Sequence, residues 1–227
     1  MPNWVETNVS ISGPADSLRA WAKKSLEGYV IKEGDPQLAS ARHLGYTGAR
    51  TEGVGQFTFG ALTGVPDDFA HNWYDRSVEL WGTKWDVSDV NTGSGFGEDA
   101  GPSDLLECVE SAIKDPRPDG SVVYSLSWST AWSPAIPYFD ALVAAYPDLV
   151  VHATYIDEGD NFVGYAIISA DERIVVDLDS ESLIPRAEYP EADDDGNVDE
   201  AALEAYYEAH MERETLVRDR LEELSWA

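Results

Sequence analysis

His71–Asp89, HNWYDRSVELWGTKWDVSD, and Ser125–Pro137, SLSWSTAWSPAIP, hold five of the eight tryptophans of this chain. The first stretch continues a helical period. Phe69, Trp73, Ser77, Leu80 and Trp81 fall along one face, while His71, Asp75, Arg76 and Glu79 fall on the other. Gly82 stands where the helix ends and left-handed backbone is wanted. Trp85 and Val87 then alternate with Asp86 and Ser88, which predicts a strand. The second stretch reverses the order. Val122, Tyr124, Leu126 and Trp128 alternate with Val123, Ser125, Ser127 and Ser129 as the clearest strand in the chain, and Ser133-Pro134 opens a helix. Pro137 makes its first turn irregular; Phe139, Leu142, Val143 and Tyr146 form its buried stripe. Trp73, Trp81, Trp85 and Trp128 thus read as core joining helices to a sheet, and Trp132, at the corner, as partly exposed.

Toward the N-terminus, Val5, Thr7, Val9 and Ile11 alternate with polar residues as a half-buried strand. Ser12-Gly13-Pro14 turns into a short helix carrying Leu18, Trp21, Ala22 and Leu26 at helical spacing. From Gly28 to Gly55 the periodicity dissolves into a long loop, in which Arg42 and His43 read as solvated. Gln56–Gly60 is a short aromatic strand candidate. Thr92–Ser103 is a Gly-rich connector; its Gly93-x-Gly95-x-Gly97 lacks the lysine and following helix of a phosphate loop. Ser103 caps a helix to about Lys114, with Leu105, Leu106, Val109 and Ile113 inward and Cys108 on the apolar side.

Toward the C-terminus, strands over Leu149–Ile156, Phe162–Ser169 and Arg173–Leu178 are separated by turns short enough for hairpins. Helices interleaved with meander returns predict an α+β fold, a mostly antiparallel sheet with helices packed on one face. We read residues 1–180 as this domain, with 92–103 as the place where it would divide into two halves. Residues 181–227 are an acidic loop and a C-terminal helix. That helix carries Leu203, Tyr207, Val217, Leu221 and Leu224 as a stripe expected to pack on its own domain.

The chain has 43 acidic against 15 basic residues among 227, a formal net charge of −28. Such a surface repels nucleic acid and anionic membranes, and no basic run longer than Lys23-Lys24 offsets it. Direct nucleic-acid binding and membrane binding are therefore not expected. Two explanations of the acidity stay open: solubility or life at high salt, or imitation of a phosphate backbone before a basic partner. Cys108 is the single cysteine, so no internal disulfide forms. With no charged leader or 18-residue apolar run, a soluble, cytoplasmic protein is expected.

No motif commits the chain to catalysis. Glu191–Ala202 can be laid over a calcium loop, but Ala202 stands where a bidentate glutamate is required, so no metal is assigned. His71 and Asp75 are four apart on a helix and could form an acid/base face with Glu79, yet no second ligand cluster accompanies them. His152 and His210 have no neighbour that suggests chemistry, and no serine sits in a G-x-S-x-G elbow. No catalytic residue and no cofactor is assigned. The candidate contacts are instead acidic: Asp157, Glu158 and Asp160 at a hairpin tip, Asp193, Asp194 and Asp195 in the late loop, and Glu204, Glu208 and Glu212 on the terminal helix.

Pro2-Asn3-Trp4, Asn72-Trp73, Trp81–Asp86 (WGTKWD), Thr130–Pro134 (TAWSP) and Tyr155–Gly164 (YIDEGDNFVG) together resemble the YubB-like family of phage and plasmid proteins, over roughly residues 2 to 169. The resemblance implies a mobile-element origin and a ferredoxin-like domain. It brings no activity, catalytic residue or cofactor. The chain departs from the family in the Gly-rich segment 28–55 and in the acidic extension after Ser180. Charge and resemblance lead to one expectation: a non-enzymatic accessory protein in the cytoplasm of an infected or plasmid-bearing cell. Its partner would be a host defence protein with a basic nucleic-acid-binding surface, met by carboxylates in place of phosphates and by exposed aromatics. The alternatives are a structural or virion-associated protein with adaptive acidity, and a small enzyme using the His71/Asp75 face.

Overall fold

Strand β1 (Trp4–Gly13) is the axis of the computed structural model, which describes residues 3–32, 50–93, 104–159, 161–191 and 198–226. Its alternation buries Val5, Thr7, Val9 and Ile11 on one face and leaves Glu6 and Asn8 on the other. β1 pairs antiparallel with β5 (Val122–Ala131) on one side and β6 (Val150–Asp157) on the other, so Val9 faces Leu126 and Ala153. With β4 (Ser88–Asn91), β7 (Val163–Ile168) and β8 (Arg173–Leu178) the sheet runs β4-β5-β1-β6-β7-β8, antiparallel throughout. A first-half strand therefore lies between two second-half strands, and both sides of 92–103 share one sheet. β2 (Tyr29–Ile31) and β3 (Arg50–Glu52) form a separate two-stranded sheet.

Five helices build one core with the Val9 face: α1 (Ala15–Ser25), α2 (Phe59–Thr63), α3 (Phe69–Trp81), α4 (Leu105–Ala112) and α5 (Ile136–Ala145). Trp128 lies at its centre, with Phe57 stacked 5.5 Å away and Phe59 edge-on at 5.4 Å. Trp21 donates its indole N–H to the buried Tyr138 hydroxyl at 3.1 Å, so one polar pair is satisfied inside this cluster. Each such ring removed from water contributes roughly 2–3 kcal/mol. The fold is α+β, a mostly antiparallel sheet with helices. Its terminal helix α7 (Glu200–Ser225), preceded by the short α6 (Ser180–Leu183), covers the opposite face, where Val217 and Leu221 pack on Ile156 and Val163. A second layer thus lies across β6 and β7, in addition to the helices on the first face.

Three local expectations change. Gln56–Gly60 is not a strand: Thr58 caps α2 through a bond from Ala61 N, and the Asp86 carboxylate accepts from Phe59 N at 2.7 Å. Residues 82–86 bend instead of extending, and the strand begins at Ser88. Tyr207 is exposed, because α7 is held mainly through its second half by Arg213, Val217, Leu221 and Ser225.

Candidate partner-binding surface

Three of the tryptophan-bearing motifs and the β6–β7 hairpin meet at one end of the sheet. β1 begins there with Trp4, opposite Ala131 at the end of β5. The loop after α3 is tied to the same point: Lys84 N reaches Ala131 O at 3.4 Å, and the Ser133 hydroxyl donates to Gly82 O. The β6–β7 hairpin closes the group, as Glu158 N donates to Trp4 O at 2.8 Å. Gly82 allows the tight approach. It has φ 81°, and a Cβ there would lie 2.5 Å from Cδ of Pro137.

The corner holds aromatic rings at the surface. Trp132 is 47% exposed and takes φ 77°, a left-handed backbone costly for a bulky side chain. Trp132 N nevertheless donates to Asn3 O at 2.9 Å, which fixes the turn. Trp85 is 38% exposed, with Trp4 6.0 Å away and the Lys84 ammonium 4.8 Å above its ring. Tyr74 is also exposed and lies 5.9 Å from the same ammonium. Trp81 and Trp128 are core as expected, and Trp73 is half-buried against it. Trp85 departs from its expected core position because the Thr83 hydroxyl bonds Trp85 O and bends the segment outward.

A groove of about 360 Å³ runs from Trp4 to α7 and is lined by Glu6, Asp89, Glu158, His210, Glu214 and Arg218 among others. Arg218 grips Glu6 with two bonds of 2.9 and 3.0 Å and also reaches Glu214 at 3.0 Å. Arg213 is buried, donating to Ile184 O and the Ser180 hydroxyl, and so fastens α7 to α6. Neither the Glu6–Arg218 pair nor the Lys84 stack was legible beforehand, since both join residues through the fold.

The acidic candidates separate. Glu204, Glu208 and Glu212 are exposed on the first half of α7, and among the described residues none joins an ion pair or hydrogen bond. With Glu200 they recur every fourth residue, a rise of about 6 Å per step. Glu200–Glu212 contains no lysine or arginine. Glu158 is exposed at the hairpin tip. Asp157 is corrected: it is 1% exposed, ends β6, and its Oδ2 accepts from Asn161 N and Nδ2, so it shapes the turn and cannot serve as a surface contact. Asp160, Asp193, Asp194 and Asp195 lie outside the described residues, as do Arg42, His43, Gly95, Gly97 and Ser103.

His71 is half-buried and Asp75 exposed on α3. Among the described residues no group of three or more His, Cys, Asp or Glu side chains could hold a metal ion. Asp86 is a half-buried carboxyl whose oxygens are turned toward backbone amides. Burial raises its pKa, against bonds from the amides of Phe59, Val87 and Gly60 and from Tyr29. It joins α2 and the small sheet to the loop after α3. Among the described residues no helix is long and apolar enough to cross a membrane.

Residues 118–196 match the family model of the ferredoxin-like domain in Api92-like protein. The match spans β5, α5, β6, β7, β8 and α6. The crystal structure of protein api92 from Yersinia pseudotuberculosis is similar to 79% of this chain and 98% of its own, at 8% identity and a TM-score of 0.43. No curated protein matches the chain.

Proposed function

We propose that the protein is a non-enzymatic acidic binder of a basic, nucleic-acid-binding host protein, of phage or plasmid origin, with α7 standing in for a phosphate backbone. The carrying observation is the row Glu200, Glu204, Glu208 and Glu212, regularly spaced, exposed at all four positions, and without lysine or arginine between them. The exposed rings of Trp85 and Trp132 supply the apolar anchors that charge alone cannot provide. The groove runs from Trp4, whose ring lies 6.0 Å from that of Trp85, to Glu214, just beyond the glutamate row on α7. Steering by the −28 charge makes association fast at low salt and weak at high salt.

The test is capture of host proteins on the immobilised chain across a salt series, followed by competition with duplex DNA. The proposal expects a basic nucleic-acid-binding protein, retained at low salt, released as salt rises and displaced by DNA. Recovery of no basic partner at low salt, or a partner that binds DNA and this chain together, overturns it.

A further inference from the structure

The two edges of the sheet are built differently. β4 is four residues long, its register with β5 shifts between Ser88 and Asn91, and Asp89 takes φ 49°. Such an irregular edge discourages pairing. β8 has none of these features. Its pairing with β7 runs without a shift from Ile168–Arg173 to Val163–Leu178. Its outer side therefore presents a continuous row of backbone donors and acceptors, to which no backbone group among the described residues bonds. Ile174, Val175 and Val176 are half-buried, and the strand contains no proline, glycine or lysine. The edge is also stiff: the Tyr155 hydroxyl, from β6, donates to Asp177 Oδ1 at 2.7 Å and lies 3.1 Å from Val176 O.

The sequence RIVVDL is self-complementary in one antiparallel register. With a two-fold axis at Val175, Val175 faces its copy and Arg173, which also holds Asp140 through bonds of 2.9 and 3.1 Å, faces Asp177 twice, each pair on one face of the sheet. Opposite charges at directly facing positions stabilise a strand pair, and shifted registers lose both pairs. We propose that β8 pairs antiparallel with β8 of a second copy of this chain, joining two six-stranded sheets into one.

Net charge opposes this association, because each copy carries −28. Salt screens that repulsion, so the dimer strengthens as ionic strength rises. Binding to a basic partner has the opposite dependence, and the two proposals therefore succeed or fail separately.

Sedimentation of the full chain at about 0.05 M and about 0.5 M salt, where the screening length falls severalfold, reads the equilibrium directly. We expect a monomer–dimer equilibrium that tightens with salt. Arg173→Asp and Asp177→Arg should each weaken it about tenfold, since two attractive pairs become repulsive, and the double variant should recover most of the loss. Circular dichroism establishes that the variants fold. Hydrogen exchange needs no variant: β8 amides of the unmodified protein should gain protection as concentration rises. A monomer at all salts, a dimer indifferent to both single variants, or β8 exchange independent of concentration overturns the proposal.

Discussion

Trp132 donates its amide to the carbonyl of Asn3 at 2.9 Å while its own backbone stands at φ 77°. The corner keeps a strained aromatic at the surface, where asparagine would hold the same backbone with less strain. Relief of about 1–2 kcal/mol offsets the packing lost from a half-exposed ring. Trp132→Asn should therefore change unfolding free energy by less than about 1 kcal/mol, measured by denaturant titration. If Trp132 anchors a partner, the same variant should lose about 2 kcal/mol of binding, roughly thirtyfold in Kd.

Gly82 has the opposite character. Its φ of 81° suits glycine, and the space a Cβ would need is taken by Pro137 and by Pro134 O. Gly82→Ala should destabilise the protein by about 2–4 kcal/mol, from left-handed strain and displacement of the start of α5. A midpoint equal to that of the parent in chemical denaturation would show that the corner is not rigid.

α7 is attached through a small cluster separate from the main core. Leu221→Ala should cost about 2–4 kcal/mol locally. Hydrogen exchange should then accelerate along 213–225 while β1 keeps its protection. Leu142→Ala, within the main core, should instead lower the protection of β1 and β5 together.

His152 supplies a pH dependence. Its Nε2–H donates to Ser225 O at 3.2 Å, and its ring stacks 4.0 Å from that of Trp226. Burial lowers its pKa, so folding favours the neutral ring. Above the unfolded value of about 6.5 both states are neutral and the group contributes no slope. As pH falls through that value, the unfolded chain takes up a proton that the folded chain resists, and stability declines until the folded pKa is passed. Unfolding free energy should thus fall as pH drops from about 7 through the unfolded value of about 6.5, and His152→Phe should flatten that segment. An unchanged slope in the variant assigns the dependence to other groups.

The alternation in β1 and β5 and the periods of α1, α3 and α5 were legible because burial on one face writes directly into the sequence. The sequence also placed Trp132 at an exposed corner. What it could not show depends on partners distant along the chain. Gln56–Gly60 looked like a strand because the carboxylate that organises α2 belongs to Asp86. Trp85 looked buried because alternation says nothing of the Thr83 bond that bends the segment. Asp157 looked like a turn charge, but β6 continues through it and Asn161 folds back onto its side chain. Of the surface, the glutamate row was readable from its four-residue spacing; the groove that brings Trp4 and Glu6 to His210 and Glu214 was not.

The most direct measurement is the affinity of the captured basic partner for the parent and for the Glu204→Gln/Glu208→Gln/Glu212→Gln variant, each across a salt series. These side chains have no internal partners among the described residues, so the variant should fold as the parent does. The account predicts at least about tenfold weaker binding at low salt, a shallower dependence of log Kd on log salt, and convergence of the two proteins at high salt. The same Kd and the same slope for both would contradict it.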